Sequence, residues 1–275
     1  MSIVFIGGGN MASALIGGLI AHGQAPEDIR VVEINPESAR RLGDEWHVRT
    51  CQDAADAMTD VGTLVLAVKP QQLSGVVRAL PPLAADVRVI SIAAGIRTSD
   101  LSRWLDGHDN IVRAMPNMPA LVCKGATGLF ALPGVPTEDR LHAQSLMRAV
   151  GSAIWVDREE DLDAVTAVSG SGPAYVFYFM EALLESARVL GLEESAARIL
   201  VTDTILGAAE LVKVRGESPA TLRRQVTSPG GTTEAALALL EQAGVKSSVV
   251  RAIQAAAARS RELGERLAQD AEVSR

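Results

Sequence analysis

The stretch FIGGGNMASAL, Phe5 to Leu15, constrains the fold more than any other part of the chain. It follows the short apolar run Ser2–Phe5 and opens a helical pattern in which Met11, Ala14, Leu15, Gly18 and Leu19 share one face, with Gly23 where a helix should stop. Its small residues fall as Gly7-x-Gly9-x-x-Ala12. Gly7 allows a tight turn, Gly9 lets a pyrophosphate approach the backbone, and Ala12 permits close packing of helix on strand. Asn10 and Met11 complete the turn, and the helix start offers N–H groups and partial positive charge to phosphate. An acidic residue, Glu33, ends the next apolar run about 20 positions on, where dinucleotide folds place the ribose contact. The combination predicts a strand, a glycine turn and a helix that bind a dinucleotide.

Which dinucleotide stays open at this level. A carboxylate at Glu33 favours a free ribose 2′-hydroxyl, hence NADH, whereas Asn35, Arg40 and Arg41 would suit the phosphate of NADPH if Glu33 turned away. Further apolar runs at IRVVE, TLVLAV, VRVISI and NIVRAM lack polar alternation, as parallel strands covered on both faces do. Three of the following segments, Ala67-Val68-Lys69-Pro70, Ser91–Gly95 (with Ala93, Ala94 and Gly95) and Met115–Ala120 (with Asn117), place small or polar residues just past a strand. In an open parallel sheet the ligand crevice lies there, so together they read as the nicotinamide half of a cofactor cleft. Lys69 suits a general acid, a cofactor contact or a surface lysine opening a helix.

The bulk chemistry removes several classes of partner. The 275 residues carry a net charge of −7 with no basic run, which argues against nucleic acid and anionic membranes. No apolar run approaches the roughly 18 residues that span a bilayer, and the N-terminus has no basic region ahead of its apolar residues. Cys51 and Cys123 form no pair motif, and His22, His47, His108 and His142 are scattered, so no metal site is expected and a cytoplasmic location is.

The expected fold class is α/β: an N-terminal Rossmann-type doubly wound parallel sheet over residues 1–160, followed by an all-helical domain over residues 161–275. The charged segment DREEDLD, Asp157 to Asp163, suits a solvated junction between them. From Pro173 on, helical patterns replace strands, with Gly191, Gly216 and Gly244 as stops. Tyr175, Phe177, Tyr178 and Phe179 make the first of these helices apolar nearly all round, which suits either a central core helix or a subunit interface, and the small size of the domain favours an oligomer. SGSGPAY, Ser169 to Tyr175, suits close packing at a helix start or a substrate loop. VTSPGGTTEAAL, Val226 to Leu237, suits two roles at once: an N-cap by Thr232 or Thr233, and an anion site in which Gly230 and Gly231 bare backbone N–H groups at a helix N-terminus.

Taken in order, GGGNM, LAVKP, SIAAGI, RAMPNMPA, VTAVSGSGPAYVF and VTSPGGTTEAAL resemble the pyrroline-5-carboxylate reductases, from Ile3 to about Leu263. The resemblance implies reduction of a small-molecule cyclic imine, 1-pyrroline-5-carboxylate, to L-proline by NADPH or NADH, and a homodimer through the helical domain that is often assembled into a decamer. It implies coenzyme contacts from Gly7 to Ala12, Asn35, Ala67 to Pro70 and Ala93 to Gly95. It also implies a substrate site from Ser228 to Thr233, with Thr233 near the imine nitrogen as the catalytic contact. Met118 departs from the threonine usual in the family's MPNTPA loop. The rival, a β-hydroxyacid dehydrogenase of the 6-phosphogluconate type, looks for a lysine after the glycines of the interdomain helix, and GSGPAYVFYFM has none.

Overall fold

The computed structural model describes residues 2–273. Their strands are β1 (Ser2–Ile6), β2 (Ile29–Val32), β3 (Arg49–Cys51), β4 (Val61–Leu66), β5 (Arg88–Ser91), β6 (Ile111–Met115), β7 (Gly125–Ala131) and β8 (Gly151–Trp155). They form one sheet in the spatial order β3-β2-β1-β4-β5-β6-β7-β8. Six strands, β1 to β6, run parallel; β7 turns antiparallel against β6, and β8 lies parallel to β7. The apolar runs read from the sequence are β1, β2, β4, β5 and β6. The others escaped that reading because β3 has only three residues and β7 and β8 carry glycine and small polar residues in place of an apolar run.

The helices around the sheet are α1 (Asn10–Ala21), α2 (Pro36–Trp46), α3 (Ala54–Ala57), α4 (Pro70–Arg78), α5 (Thr98–Trp104), α6 (Thr137–Arg148) and α7 (Asp161–Val165). Because β1 is central, its alternate residues face opposite layers. Ile3 and Phe5 join a core with Leu15, Ile16, Leu129 and Met147, while Val4 and Ile6 join a second with Leu64, Leu66, Leu73 and Trp104. The strand order reverses between β1 and β4, which fixes where a crevice opens at the carboxyl ends of the strands.

Helices follow to the end: α8 (Gly172–Val189), α9 (Glu194–Arg215), α10 (Pro219–Gln225), α11 (Thr232–Gln242) and α12 (Val245–Val273). By internal packing, residues up to Ser171 together with those from Ala256 onward form one compact unit, and Gly172–Ala255 forms the other. The later part of α12 thus packs with the sheet. Gly264 lies against the loop after β5: a Cβ at Gly264 would sit 2.8 Å from the carbonyl oxygen of Gly95. Leu267 packs on the second core, and the Ser260 hydroxyl donates to the Asp163 carboxylate at 2.6 Å.

In the charged segment at Asp157 to Asp163, Asp157, Arg158 and Glu160 are exposed as a solvated junction requires, but Glu159 and Leu162 are not. Glu159 turns inward, accepting from the backbone N–H and the hydroxyl of Thr98 at 2.8 Å each and pairing with the buried Arg113 at 3.1 Å. The inward turn leaves a buried guanidinium with a partner, which composition along the chain does not reveal.

In the helical unit the buried apolar residues are Ala187, Ala197 and Val201. Its large side chains are outside: Phe177, Tyr178 and Phe179 on α8, Ile199, Leu200 and Leu206 on α9. Reading α8 as a core helix of its own chain therefore fails. An apolar surface of this extent on a unit with so little interior marks a protein interface.

Candidate active site

At the end of β1 the chain turns through Gly7, whose φ is +100° and whose N–H donates to the Val32 carbonyl at 2.9 Å. A side chain there would collide with the end of β4, since its Cβ would lie 2.9 Å from both the Ala67 carbonyl oxygen and Val68 Cγ1. Only glycine satisfies the turn and the close approach together. Gly9 is the reverse case: a Cβ on it would meet nothing within 4 Å, so the backbone faces open space.

Behind Gly9, α1 starts bare. No side chain caps it, no acidic residue stands in its first turn, and Ser13 is the first residue whose N–H bonds back, to the Gly9 carbonyl at 2.9 Å. The N–H groups of Asn10, Met11 and Ala12 are left as donors for an anion, reinforced by the helix dipole. Ala12 itself is buried under the helix. An open face, an uncapped N-terminus and no competing carboxylate in the first turn fit a dinucleotide pyrophosphate.

Glu33, just past β2, is tied down at both oxygens. Oε2 accepts the Gly8 N–H at 2.9 Å and Oε1 the Asn35 N–H at 2.8 Å. Gly8, which the motif spacing passes over, thus ties the glycine loop to the end of β2, and a Cβ there would sit 2.4 Å from Leu42 Cδ1. The Asn35 side chain caps α2, accepting from Glu37 and Ser38.

The remaining sequence-selected segments follow neighbouring strands. Ala67 donates its N–H to the Ile6 carbonyl at 2.8 Å, Val68 abuts Gly7, exposed Lys69 precedes α4 without capping it, and Pro70 opens that helix. Ala93 is buried, Ala94 half-buried, and Gly95 has φ +80° against Gly264. Strand topology brings Gly7 to Ala12, Glu33, Asn35, Ala67 to Pro70, Ala93 to Gly95 and Asn117 to one edge of the sheet.

Asn117 differs from the others because its side-chain amide is spent inside the fold. Nδ2 donates to the carbonyl and hydroxyl oxygens of Ser169 at 3.1 and 3.2 Å, and Oδ1 accepts the Ala126 N–H at 2.8 Å. It braces the π-helical turn Thr166–Gly170, a backbone form common at functional sites, against the loop after β6. Only its backbone remains to meet a coenzyme. Met118, next to it, is exposed.

In the helical unit, α11 begins at Thr232 with Gly231 as its N-cap and no side-chain cap. The expectation of a threonine cap is thereby corrected: Thr232 and Thr233 are the first two helical residues, too far along to cap. Gly230 takes φ +69°, and a Cβ at Gly231 would lie 2.6 Å from Ser228 Oγ, so the turn is closed by contact as well as by conformation. Glu234 reaches back to accept the Gly230 N–H at 2.7 Å. The N–H groups of Thr232 and Thr233 remain uncapped and the Thr233 side chain is half-buried, with Thr232 and Ser228 exposed.

No histidine sits in either cluster. His142 lies in the sheet unit, its Nε2 2.9 Å from Thr63 Oγ1, with its pKa lowered by burial and then by Arg88. Burial also raises the Cys51 thiol and the Asp100 carboxyl, against the pull of Arg103 on the latter.

Comparison with known proteins extends these observations. Residues 159–263 match the family described as pyrroline-5-carboxylate reductase dimerisation, and residues 2–95 that described as NADP oxidoreductase, coenzyme F420-dependent. The chain is 44% identical to the pyrroline-5-carboxylate reductase of Pseudomonas aeruginosa over 97% of its own length and 98% of the relative's. Among solved structures, the pyrroline-5-carboxylate reductase of Coxiella burnetii is 42% identical with a TM-score of 0.89, covering 95% of this chain and 98% of the other. That of Plasmodium falciparum, with NADP bound, is 28% identical with a TM-score of 0.85 over 96% and 98%.

Proposed function

This chain belongs to the pyrroline-5-carboxylate reductase family, and from that premise we propose how its residues perform the reaction. It reduces the cyclic imine 1-pyrroline-5-carboxylate to L-proline with NAD(P)H as reductant. The observation that carries the assignment of roles is the pair of uncapped helix N-termini, one on α1 behind Gly7 and Gly9, the other on α11 behind Gly230 and Gly231.

The N–H groups of Asn10, Met11 and Ala12 hold the coenzyme pyrophosphate, Glu33 and Asn35 frame its adenosine ribose, and Ala67 to Pro70, Ala93 to Gly95 and the backbone at Asn117 hold the nicotinamide side. When bound, the nicotinamide supplies the hydride. The Gly230 and Gly231 N–H groups, expected to be bare, are taken by the Glu234 carboxylate and the Ser228 carbonyl, so the N–H groups of Thr232 and Thr233, with Ser228 and the Thr232 hydroxyl, bind the substrate carboxylate. The Thr233 hydroxyl hydrogen-bonds the ring nitrogen and so fixes the angle at which the imine carbon is approached. The imine enters protonated or takes its proton from water, since the site offers no histidine or acid-base pair; catalysis is mainly orientation.

Residues 1–160 serve the coenzyme, with the part of α12 around Gly264 backing the loop at Gly95, and the rest of the helical region serves the substrate and assembly. The chain is a homo-oligomer, and among the described residues no helix is long and apolar enough to cross a membrane. A homodimer through the helical unit, covering the exposed faces of α8 and α9, is the assembly we propose, with decamers of it and a cytoplasmic location. The reaction is tested by following NADPH and NADH oxidation with 1-pyrroline-5-carboxylate, against a 3-hydroxy acid with NAD(P)+ as control. Imine-dependent oxidation with neither coenzyme would overturn it.

A further inference from the structure

Resting on the reading of the chain as an NAD(P)H-dependent reductase, we propose that Glu33 makes it select the coenzyme with a free ribose 2′-hydroxyl, NADH over NADPH. A carboxylate at this position accepts a hydrogen bond from the hydroxyl and repels a phosphate, unless it swings away. Here it is held. One oxygen takes the Gly8 N–H and the other the Asn35 N–H, so turning it out breaks two hydrogen bonds and leaves the buried Gly8 N–H of the glycine loop without its acceptor.

The second half of the case is the contrast between two helix starts. A 2′-phosphate displacing Glu33 needs donors, and the nearby backbone at α2 has spent its own. Asn35 N–H goes to Glu33, Pro36 has none, Glu37 and Ser38 donate to Asn35 Oδ1 at 3.0 and 2.9 Å, and Ala39 donates to the Asn35 carbonyl at 3.0 Å. Glu37 adds a negative charge in the first turn. Helix α1 presents the opposite picture, bare and without acidic residues, so the pyrophosphate end is built for an anion and the ribose end against a second one. Arg30, on β2, is committed to the carbonyls of Ala57 and Thr59. Arg40 and Arg41 are exposed further along α2 and are the cations through which the opposite preference would have to act.

Direct binding reads the preference without turnover. The unaltered oligomer is titrated calorimetrically with NADH and NADPH, and with 5′-AMP and 2′,5′-ADP as their adenosine halves. NADH and 5′-AMP should bind about tenfold or more tighter than their phosphorylated counterparts, the worth of one charge-assisted hydrogen bond. In Glu33→Ser and Glu33→Gln, checked for folding by circular dichroism, that ratio should shrink by a similar factor or invert. Equal or tighter binding of NADPH by the unaltered protein overturns the proposal, as does a ratio within about twofold of the original in both folded variants. If neither variant folds, the 5′-AMP to 2′,5′-ADP ratio of the unaltered protein decides it. A protein that binds NADH tighter yet oxidises neither coenzyme with the imine keeps this selectivity and loses the reaction instead.

Discussion

Replacing Glu159 by alanine should destabilise the protein far more than an average charged-residue substitution. The side chain is 16% exposed and faces an Arg113 side chain that is only 6% exposed. Its loss strips a guanidinium already out of water of its ion-pair partner, at about 3–5 kcal/mol. It also removes two hydrogen bonds from Thr98, the first residue of α5, the equivalent of losing a helix cap at about 1 kcal/mol. For a domain of this size each kcal/mol lowers Tm by about 2–4 °C, so a fall of roughly 10 °C or more is expected. The assay is urea unfolding followed by circular dichroism at fixed protomer concentration, because assembly contributes to apparent stability. The paired variant Arg113→Met, Glu159→Leu should recover most of the loss, since it removes the stranded charge as well as its partner. A single substitution costing under about 1 kcal/mol, or a double variant no better than the single, would refute the reasoning.

Thr233→Ala should lower kcat by about tenfold or more with an unchanged melting curve, the loss of one orienting hydrogen bond in the transition state, and near-native turnover would remove Thr233 from the mechanism. Asn117→Ala leaves the Ala126 N–H and the Ser169 oxygens without their side-chain partner; it should cost about 1–3 kcal/mol in urea unfolding, and no measurable loss would show that the brace is idle. The folded pKa of His142 lies below its ordinary 6.5, so the unfolded chain binds the proton more readily. That stability is present above about pH 6.5 and should fall as pH drops from there through the folded pKa, while His142→Gln should flatten the decline; equal slopes in the two proteins would exclude His142 as its source.

Much of the loop cluster proposed for the coenzyme was legible because its geometry is local. A glycine turn, an uncapped helix start and an acidic strand end all lie within Gly7 to Glu33, and apolar runs mark the strands that place them. What stayed hidden depends on residues distant in sequence. Gly8 matters through Glu33 and Leu42, Asn117 through Ala126 and Ser169, and Glu159 through Thr98 and Arg113; no periodicity encodes such pairs. The threonines at 232 and 233 misled for a subtler reason. Both suit a cap, but Gly231 already occupies that position because the tight contact with Ser228 tolerates no side chain there.

The contact between Gly95 and Gly264 sets a schedule. The loop at Ala93–Gly95 is far removed in sequence from the helix segment around Gly264 that backs it. The glycine turn finds its partners in β2 and just past β4, yet this loop waits for a far longer closure, the slower kind to form. Refolding protein should therefore acquire its sheet before its full coenzyme affinity. The lag between the two, followed by circular dichroism and NADH fluorescence on refolding, measures how long the segment around Gly264 takes to reach its loop.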